Sequence, residues 1–166
     1  MPYITISYVD VNGHTYAYKI DVSTFQKYIQ TPKLTLEIKQ GDCDDQAILV
    51  YAMIKYYMKY VVGTEYTLYL AEITFNNNEG HLAVFLPVQG GELYIIDPAG
   101  HYLTSTFLGT ITSQPAYQEL QSYSNWWSSE GGIKRIVLYE VNIVDGSYTI
   151  VEQGNISQIA SFLSTS

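Results

Sequence analysis

The sequence is poor in the residues that would support a disulfide framework or a basic binding surface. It contains one cysteine, Cys43, among 166 residues, which excludes an internal disulfide and a cysteine-based metal cluster. The thiol is then a nucleophile, an inert core group or an intermolecular crosslink. Lysine and arginine total 8 against 16 acidic residues, a formal charge of -8. A basic patch that binds nucleic acid or anionic lipid is therefore not expected.

Long apolar runs are also missing. No stretch approaches the roughly 20 apolar residues that span a bilayer, and the first residues have neither the basic start nor the apolar run of a secretory signal. We therefore expect a soluble protein with no membrane partner, cytoplasmic if the chain is full length. An excised soluble domain of an exported protein is the alternative. With 47% hydrophobic residues, residues 1–166 are predicted to form a single domain, whose oligomeric state the sequence leaves open.

What the sequence does have is a cysteine at the start of a strongly patterned helix. Apolar residues recur at three- and four-residue steps from Asp44 to Tyr60, directly after the turn-like segment Gln40–Asp42. Free N–H groups and the positive end of the helix dipole at the first turn stabilise a thiolate there. Cys43 is thus a candidate nucleophile, with a buried packing thiol as the competing interpretation.

A histidine and an aspartate follow in a predicted β-hairpin. The run from His81 to Leu86 and the run that ends at Asp97 are strand-like, with a glycine-containing turn between them. A three-residue loop at 88–90 would set His81 directly opposite Asp97, with Cβ atoms about 5 Å apart. Any loop of odd length keeps the two side chains on one face, whereas a four-residue loop separates them. The pair could then serve as the base and the orienting acid for a thiol nucleophile.

The remaining pattern predicts mostly strands. Asn-Gly and Asp-Gly turns predict two further hairpins, Ile4–Val11 with His14–Val22 and Ile133–Val144 with Ser147–Glu152. Another strand is predicted over Tyr66–Phe75. Three short helices are predicted at Ser23–Tyr28, Pro115–Trp127 and Ile156–Leu163, the last starting at Asn155. Trp126 and Trp127 are expected in the core, an interface or a cleft wall.

Three sequence blocks resemble the transglutaminase-like superfamily, most closely its microbial cysteine-peptidase-like members. The blocks are Gly41–Leu49, Gly80–Val84 and Ile95–Pro98, in the family's order within about residues 36–100. The resemblance implies a papain-like α+β fold, in which a helix carrying Cys43 packs on an antiparallel sheet carrying His81 and Asp97. It implies Cys43 as nucleophile, His81 as base and Asp97 as orienting acid. No calcium-loop pattern is present, and we expect no cofactor.

The surroundings of Cys43 allow further assignments. Asp42, Asp44 and Asp45 oppose ionisation of the thiol, so a protonated His81 is the more credible source of a thiolate at neutral pH. These acids with His81 could instead ligate a metal, but adjacent acids at a helix start diverge and the EF-hand spacing is absent, so no metal site is expected. The backbone N–H of Cys43 and the Gln40 amide are candidate oxyanion donors, although Gln40 could equally be a solvated turn residue.

Two classes of function fit the sequence. The first is a thiol acyl-transfer enzyme acting on a protein or peptide. Water as acceptor would make it a peptidase or amidase, and an amine would make it a crosslinking transamidase. The resemblance favours hydrolysis of peptide or isopeptide bonds. The second class is a non-catalytic binding or structural module in which Cys43 is merely buried.

Overall fold

The computed structural model describes residues 4–11, 14–22, 43–104, 106–107, 110–111, 114–142 and 145–165. The helices are α1 (Cys43–Tyr57), α2 (Ala116–Trp126) and α3 (Ile156–Ser164), with a π-helical turn at Met58–Val62 and a 3₁₀ turn at Ser128–Glu130. The longer strands are β1 (Ile4–Val11), β2 (His14–Val22), β3 (Tyr69–Phe75), β4 (Gly80–Val88), β5 (Glu92–Asp97), β10 (Ile133–Val141) and β11 (Tyr148–Gly154). Two-residue strands lie between them: β6 (Tyr102–Leu103), β7 (Thr106–Phe107), β8 (Thr110–Ile111) and β9 (Gln114–Pro115).

One large antiparallel sheet organises the fold. Among the described residues seven strands join it, in the order β11-β10-β3-β4-β5-β6, with β9 paired to β5. Strands β3, β4 and β5 lie at its centre. They follow one another in sequence, and a short connection joins each neighbouring pair. The predicted α+β class with an antiparallel sheet is confirmed.

Helices cover both faces of this sheet. Alternate residues of β3 and β4 point to opposite faces, as the pleat requires. One face packs against α1, whose residues Ala47, Ile48 and Tyr51 form one buried apolar cluster with Leu70 and Val84. The other face packs against α2 and α3 and forms the larger cluster, with the fully buried residues Phe85, Ile95, Leu120, Tyr123, Ile136, Leu138, Ile159 and Leu163. The sheet is therefore the middle layer of three, and α1 is separated from the other helices by it.

The predicted hairpins are present, with one error in loop length. β1 and β2 pair as predicted and have the predicted bounds. β10 and β11 also pair, but their ladder closes at Val141 and Tyr148. A two-residue turn at Asp145-Gly146 was therefore wrong. The described ends of the connection are instead joined by hydrogen bonds from the Asn142 N–H to the Ser147 carbonyl and from the Gly146 N–H to the Asn142 carbonyl.

The helix predictions differ from the structure mainly at their ends. The long helix begins at Cys43 but changes to the π-helical turn after Tyr57, and the following strand starts at Tyr69 rather than Tyr66. Helix α3 starts as predicted, because Asn155 caps it in a reciprocal pair of hydrogen bonds with Gln158. The helix predicted at Ser23–Tyr28 lies outside the described residues. No helix in the described part of the chain is long and apolar enough to cross a bilayer.

Candidate active site

His81 and Asp97 form a buried hydrogen-bonded pair. The His81 Nε2–H donates to Asp97 Oδ1 over 2.7 Å, with side-chain exposures of 7% and 0%. Both residues point to the sheet face covered by α2 and α3, since His81 pairs with the core residue Ile73 and Asp97 lies two residues beyond Ile95. Because Asp97 engages Nε2, the other ring nitrogen, Nδ1, is left for a reacting partner.

The loop between β4 and β5 lies one residue further along the chain than predicted, which changes the register of the two strands. The last pair of the β4–β5 ladder is Val88 with Glu92, so the loop is residues 89–91. It has the predicted odd length, but it begins one residue later because Val88 still pairs. Continued at this register, the ladder makes His81 and Asp97 diagonal neighbours. The predicted direct opposition was wrong, although both side chains share one face and an imidazole is long enough to span the diagonal.

Asp97 is held by two further donors. The backbone N–H of Gly100 donates to Oδ1 over 2.9 Å, and the hydroxyl of Tyr123 donates to Oδ2 over 2.7 Å. A fully buried carboxylate needs such donors, since burying an unpaired charge costs several kcal/mol. Asp97 thus has a donor on each oxygen besides His81, and its orientation is fixed from two sides.

Gly100 packs so closely on this carboxylate that no side chain fits. A Cβ built on Gly100 would overlap Asp97 Oδ2 and would lie 2.6 Å from Cζ2 of Trp127. The Gly100 carbonyl also accepts a hydrogen bond from the indole of Trp126 over 2.8 Å. The turn after β5 is therefore shaped around Asp97.

Aromatic rings cover the imidazole of His81. The ring centroid of Trp127 lies 4.7 Å from that of His81, and the centroid of Phe75 lies 6.1 Å away. Trp127 and Phe75 also pack on each other, at 4.9 Å. These rings exclude water from the His81–Asp97 bond, which strengthens its electrostatic interaction.

The thiol of Cys43 approaches the same imidazole from the opposite layer, close enough to act on its pKa. Cys43 is half-buried and begins α1, which packs on the other sheet face. His81 is the second residue of β4, so its ring lies at a strand end, where a group from that helix can approach it. The thiol also donates a weak hydrogen bond to Asp44 Oδ1 at 3.5 Å.

The contacts of His81 favour its protonated form. Burial alone would lower the pKa of His81, but the hydrogen bond to Asp97 and the charge of its carboxylate, together with the nearby Cys43 thiol, raise it to about 9. An imidazole held between a carboxylate and a thiol can stabilise a thiolate as its ion-pair partner. The arrangement can therefore supply both a nucleophile and a proton donor at neutral pH.

Comparison with known proteins identifies the family. A family profile described as a transglutaminase-like domain matches residues 4–123, which is most of the chain. The protein belongs to the transglutaminase-like family. The match includes Cys43, His81, Asp97 and Tyr123, and the observed α+β architecture agrees with the fold that the sequence blocks implied.

A curated relative is similar over part of the transglutaminase-like domain. A UPF0252 protein of Archaeoglobus fulgidus is 32% identical over 92 residues, which is 51% of this chain and 27% of the relative. The chain thus spans about a quarter of the length of that protein. No solved structure gives a significant match.

Other predicted features of the transglutaminase-like domain have mixed outcomes. Gln40 and Asp42 lie outside the described residues, so the second oxyanion donor stays a prediction. Asp45 is buried, and both Asp44 and Asp45 have partners within the protein. Within the part of the chain that the structure describes, no cluster of three or more histidine, cysteine or acidic side chains is arranged to hold a metal ion.

Sequence reasoning missed two of the residues that shape the site and placed a third only in general terms. Tyr123 and Gly100 were not singled out, and Trp127 was recognised only as a core or cleft residue. Tyr123 lies 26 residues from Asp97, and no local spacing connects a tyrosine on one helix to an aspartate at a strand end. The glycine two residues after the Asp97-Pro98 dipeptide was the available signal, because a turn glycine can mark a close approach of the backbone.

Proposed function

We propose that this transglutaminase-like domain is a thiol acyl-transfer enzyme in which Cys43 is the nucleophile, His81 the proton carrier and Asp97 the group that orients His81. The observation that carries the proposal is that one buried imidazole donates to Asp97 over 2.7 Å and lies close enough to the Cys43 thiol for the thiol to act on its pKa. Cysteine and histidine within hydrogen-bond reach, with the histidine oriented by a third group, are the requirement for such catalysis.

The proposed reaction has two steps. The Cys43 thiolate attacks an amide carbonyl carbon, the C–N bond breaks, and the imidazolium of His81 gives its proton to the departing amine. The product is an acyl-thioester on Cys43. His81, now neutral, takes a proton from water as the oxygen attacks the thioester, which releases a carboxylic acid and restores the thiolate–imidazolium pair. The backbone N–H of Cys43, with the Gln40 amide as second donor, stabilises the oxyanion in this proposal.

We favour hydrolysis of a peptide or isopeptide bond in a protein or peptide substrate. The support is the resemblance of the sequence blocks around Cys43 and His81 to the cysteine-peptidase-like branch of the superfamily. A primary amine in place of water in the second step would give a crosslinked product by the same groups.

The test is to measure which acceptor resolves the thioester. The domain is incubated with a mixture of peptides and isopeptide-linked peptides in ¹⁸O-water, with and without a labelled primary amine, and Cys43→Ala is the control. ¹⁸O in new carboxyl groups, absent with Cys43→Ala, supports hydrolysis. Amine incorporation without ¹⁸O indicates transamidation. No Cys43-dependent product with either acceptor would contradict the enzymatic proposal and favour a binding or structural module.

A further inference from the structure

The second carboxylate oxygen of Asp97 has a partner of its own. Oδ1 accepts from both His81 and Gly100, while Oδ2 accepts from the hydroxyl of Tyr123 over 2.7 Å. Asp97 and Tyr123 are both 0% exposed, so water does not replace this donor. The hydrogen bond from the Tyr123 hydroxyl therefore partly neutralises the negative charge of the Asp97 carboxylate, which would otherwise act on His81 alone.

Tyr123 is a permanent donor in this position. Burial and the adjacent charge of Asp97 raise the pKa of Tyr123 well above its ordinary value of 10.0, so the hydroxyl keeps its proton throughout the working range. The indole of Trp127 acts on the pKa of Tyr123 in the opposite direction. Its Nε1 is buried and makes no contact that meets hydrogen-bond geometry, so the bond to Asp97 is the well-formed one.

We propose that Tyr123 is a positioning residue that acts on His81 through Asp97. Its hydrogen bond to Oδ2 limits the negative charge that the imidazolium experiences, and so keeps His81 able to give its proton to a leaving amine. The inference rests on the proposed function, because it assigns Tyr123 a role in the same site. A general acid is most effective when its pKa lies near the working pH, and a stronger Asp97 acceptor would move His81 further from that condition.

A shift in the pKa of His81 could also come from other groups that face the His81–Asp97 pair. His81 faces the thiol of Cys43 from α1 and the carboxylate of Asp97 from β5, and its ring neighbours Phe75 and Trp127 do not titrate. Tyr123 faces Asp97 and packs against Tyr102 at 4.9 Å between ring centroids.

Tyr102 provides a matched control. Its hydroxyl donates to Glu119 Oε1 over 2.7 Å. Glu119 is buried and also accepts hydrogen bonds from Thr104 and Gln114. Tyr102→Phe therefore removes a phenol hydroxyl beside the site without changing the donors of Asp97.

The experiment is a histidine-selective NMR titration of the whole domain. The chain has three histidines, and their signals are assigned with His14→Gln and His101→Asn. We expect the His81 midpoint to be strongly raised in the parent, to rise by a further 0.5 to 1 pH unit, roughly, in Tyr123→Phe, and to be unchanged in Tyr102→Phe. In an Asp97→Asn background, Tyr123→Phe should have no effect on the midpoint, because the path to His81 has been removed.

A graded substitution keeps the inference testable if Tyr123→Phe does not fold. Replacement of Tyr123 by 3-fluorotyrosine makes the phenol a stronger donor, so the His81 midpoint should fall. A midpoint that stays at the parent value or moves the other way would overturn the role of Tyr123. A parent His81 that titrates at its ordinary value near 6.5 would instead overturn the proposed Cys43–His81–Asp97 site itself, which separates the two failures.

Discussion

Asp97 is the residue on which most hydrogen bonds of the site converge. It accepts bonds from His81, Gly100 and Tyr123 and is fully buried. Its hydrogen bond and its charge both contribute to raising the pKa of His81 to about 9, against the effect of burial. Loss of that charge should therefore affect the thiol on the other side of the imidazole.

We predict that Asp97→Asn moves the pKa of His81 down toward its ordinary value. Fewer molecules then hold the thiolate–imidazolium pair, so the rate constant for alkylation of Cys43 by iodoacetamide at pH 6 should fall about tenfold or more. The measurement is the alkylation rate followed by mass spectrometry. The matched control is Asp145→Asn, which removes an exposed carboxylate in the β10–β11 loop. Equal rates in parent and Asp97→Asn would argue against Asp97 as the orienting acid.

Gly100 gives a prediction about packing. Gly100→Ala should reduce the free energy of unfolding by about 1–3 kcal/mol, because its Cβ overlaps Asp97 Oδ2 and approaches Trp127. Gly80→Ala is the control, since a Cβ there meets nothing within 4 Å, and it should change stability by less than about 0.5 kcal/mol. Urea unfolding of both variants measures the difference. A Gly100→Ala variant as stable as Gly80→Ala would contradict the prediction, because the turn would then have moved enough to accommodate the methyl group.

The raised pKa of His81 predicts a pH dependence of stability. The folded pKa, about 9, lies above the ordinary value of 6.5, so the stabilising contribution of protonated His81 is complete below about pH 6.5 and disappears as pH rises through about 9. Urea unfolding at pH 6 and pH 9.5 should show a larger loss of stability in the parent than in His81→Gln. The same loss in both would contradict the assignment of that proton to His81.

Among the elements, the central hairpin was predictable in all but its register. The strand-like apolar runs and the glycine-containing turn identified β4 and β5. The odd number of residues in the loop put His81 and Asp97 on one face. The turn position depends on whether Val88 pairs with Glu92, which is decided by backbone conformation at Gly90 and Gly91, both with positive φ. Composition alone does not choose among neighbouring three-residue loops.

Helix α1 is joined to the sheet by a contact far from the thiol. The hydroxyl of the buried Tyr51 donates to the Val141 carbonyl at 3.1 Å and accepts from the Val141 N–H at 3.0 Å. The apolar periodicity from Asp44 to Tyr60 predicted a buried helix face, but Val141 is 90 residues from Tyr51, so this partner could not be predicted.

We predict that Tyr51→Phe lowers the free energy of unfolding by about 1 kcal/mol, because it removes a buried hydrogen-bonding group while the ring stays in place. The pH profile of Cys43 alkylation should be unchanged. Tyr57→Phe, at a position 56% exposed, is the control and should have little effect on stability. A change in the alkylation profile of Tyr51→Phe would contradict this prediction, because it would mean that the hydrogen bonds of Tyr51 are needed to hold α1 in position.

At the scale of the molecule, the site combines groups from both faces of the sheet. Cys43 comes with α1 on one face, and His81, Asp97, Tyr123 and Trp127 lie on the other. The sequence predicted the α+β class and the proximity of His81 to Asp97, while the catalytic roles of Cys43, His81 and Asp97 stay predictions. The residues that hold them depend on how α2 docks on the sheet, which is a long-range property that local patterns do not encode.

The most direct test of the account is the pH dependence of Cys43 alkylation by iodoacetamide in the parent and in His81→Ala, with His101→Asn as control. His101 is exposed and has a positive φ that asparagine tolerates. We predict that the thiol is alkylated readily at pH 6 to 7, roughly, and that this reactivity is lost in His81→Ala and retained in His101→Asn. An ordinary titration that His81→Ala leaves unchanged, or a thiol inert in the folded protein, would contradict the Cys43–His81 pair.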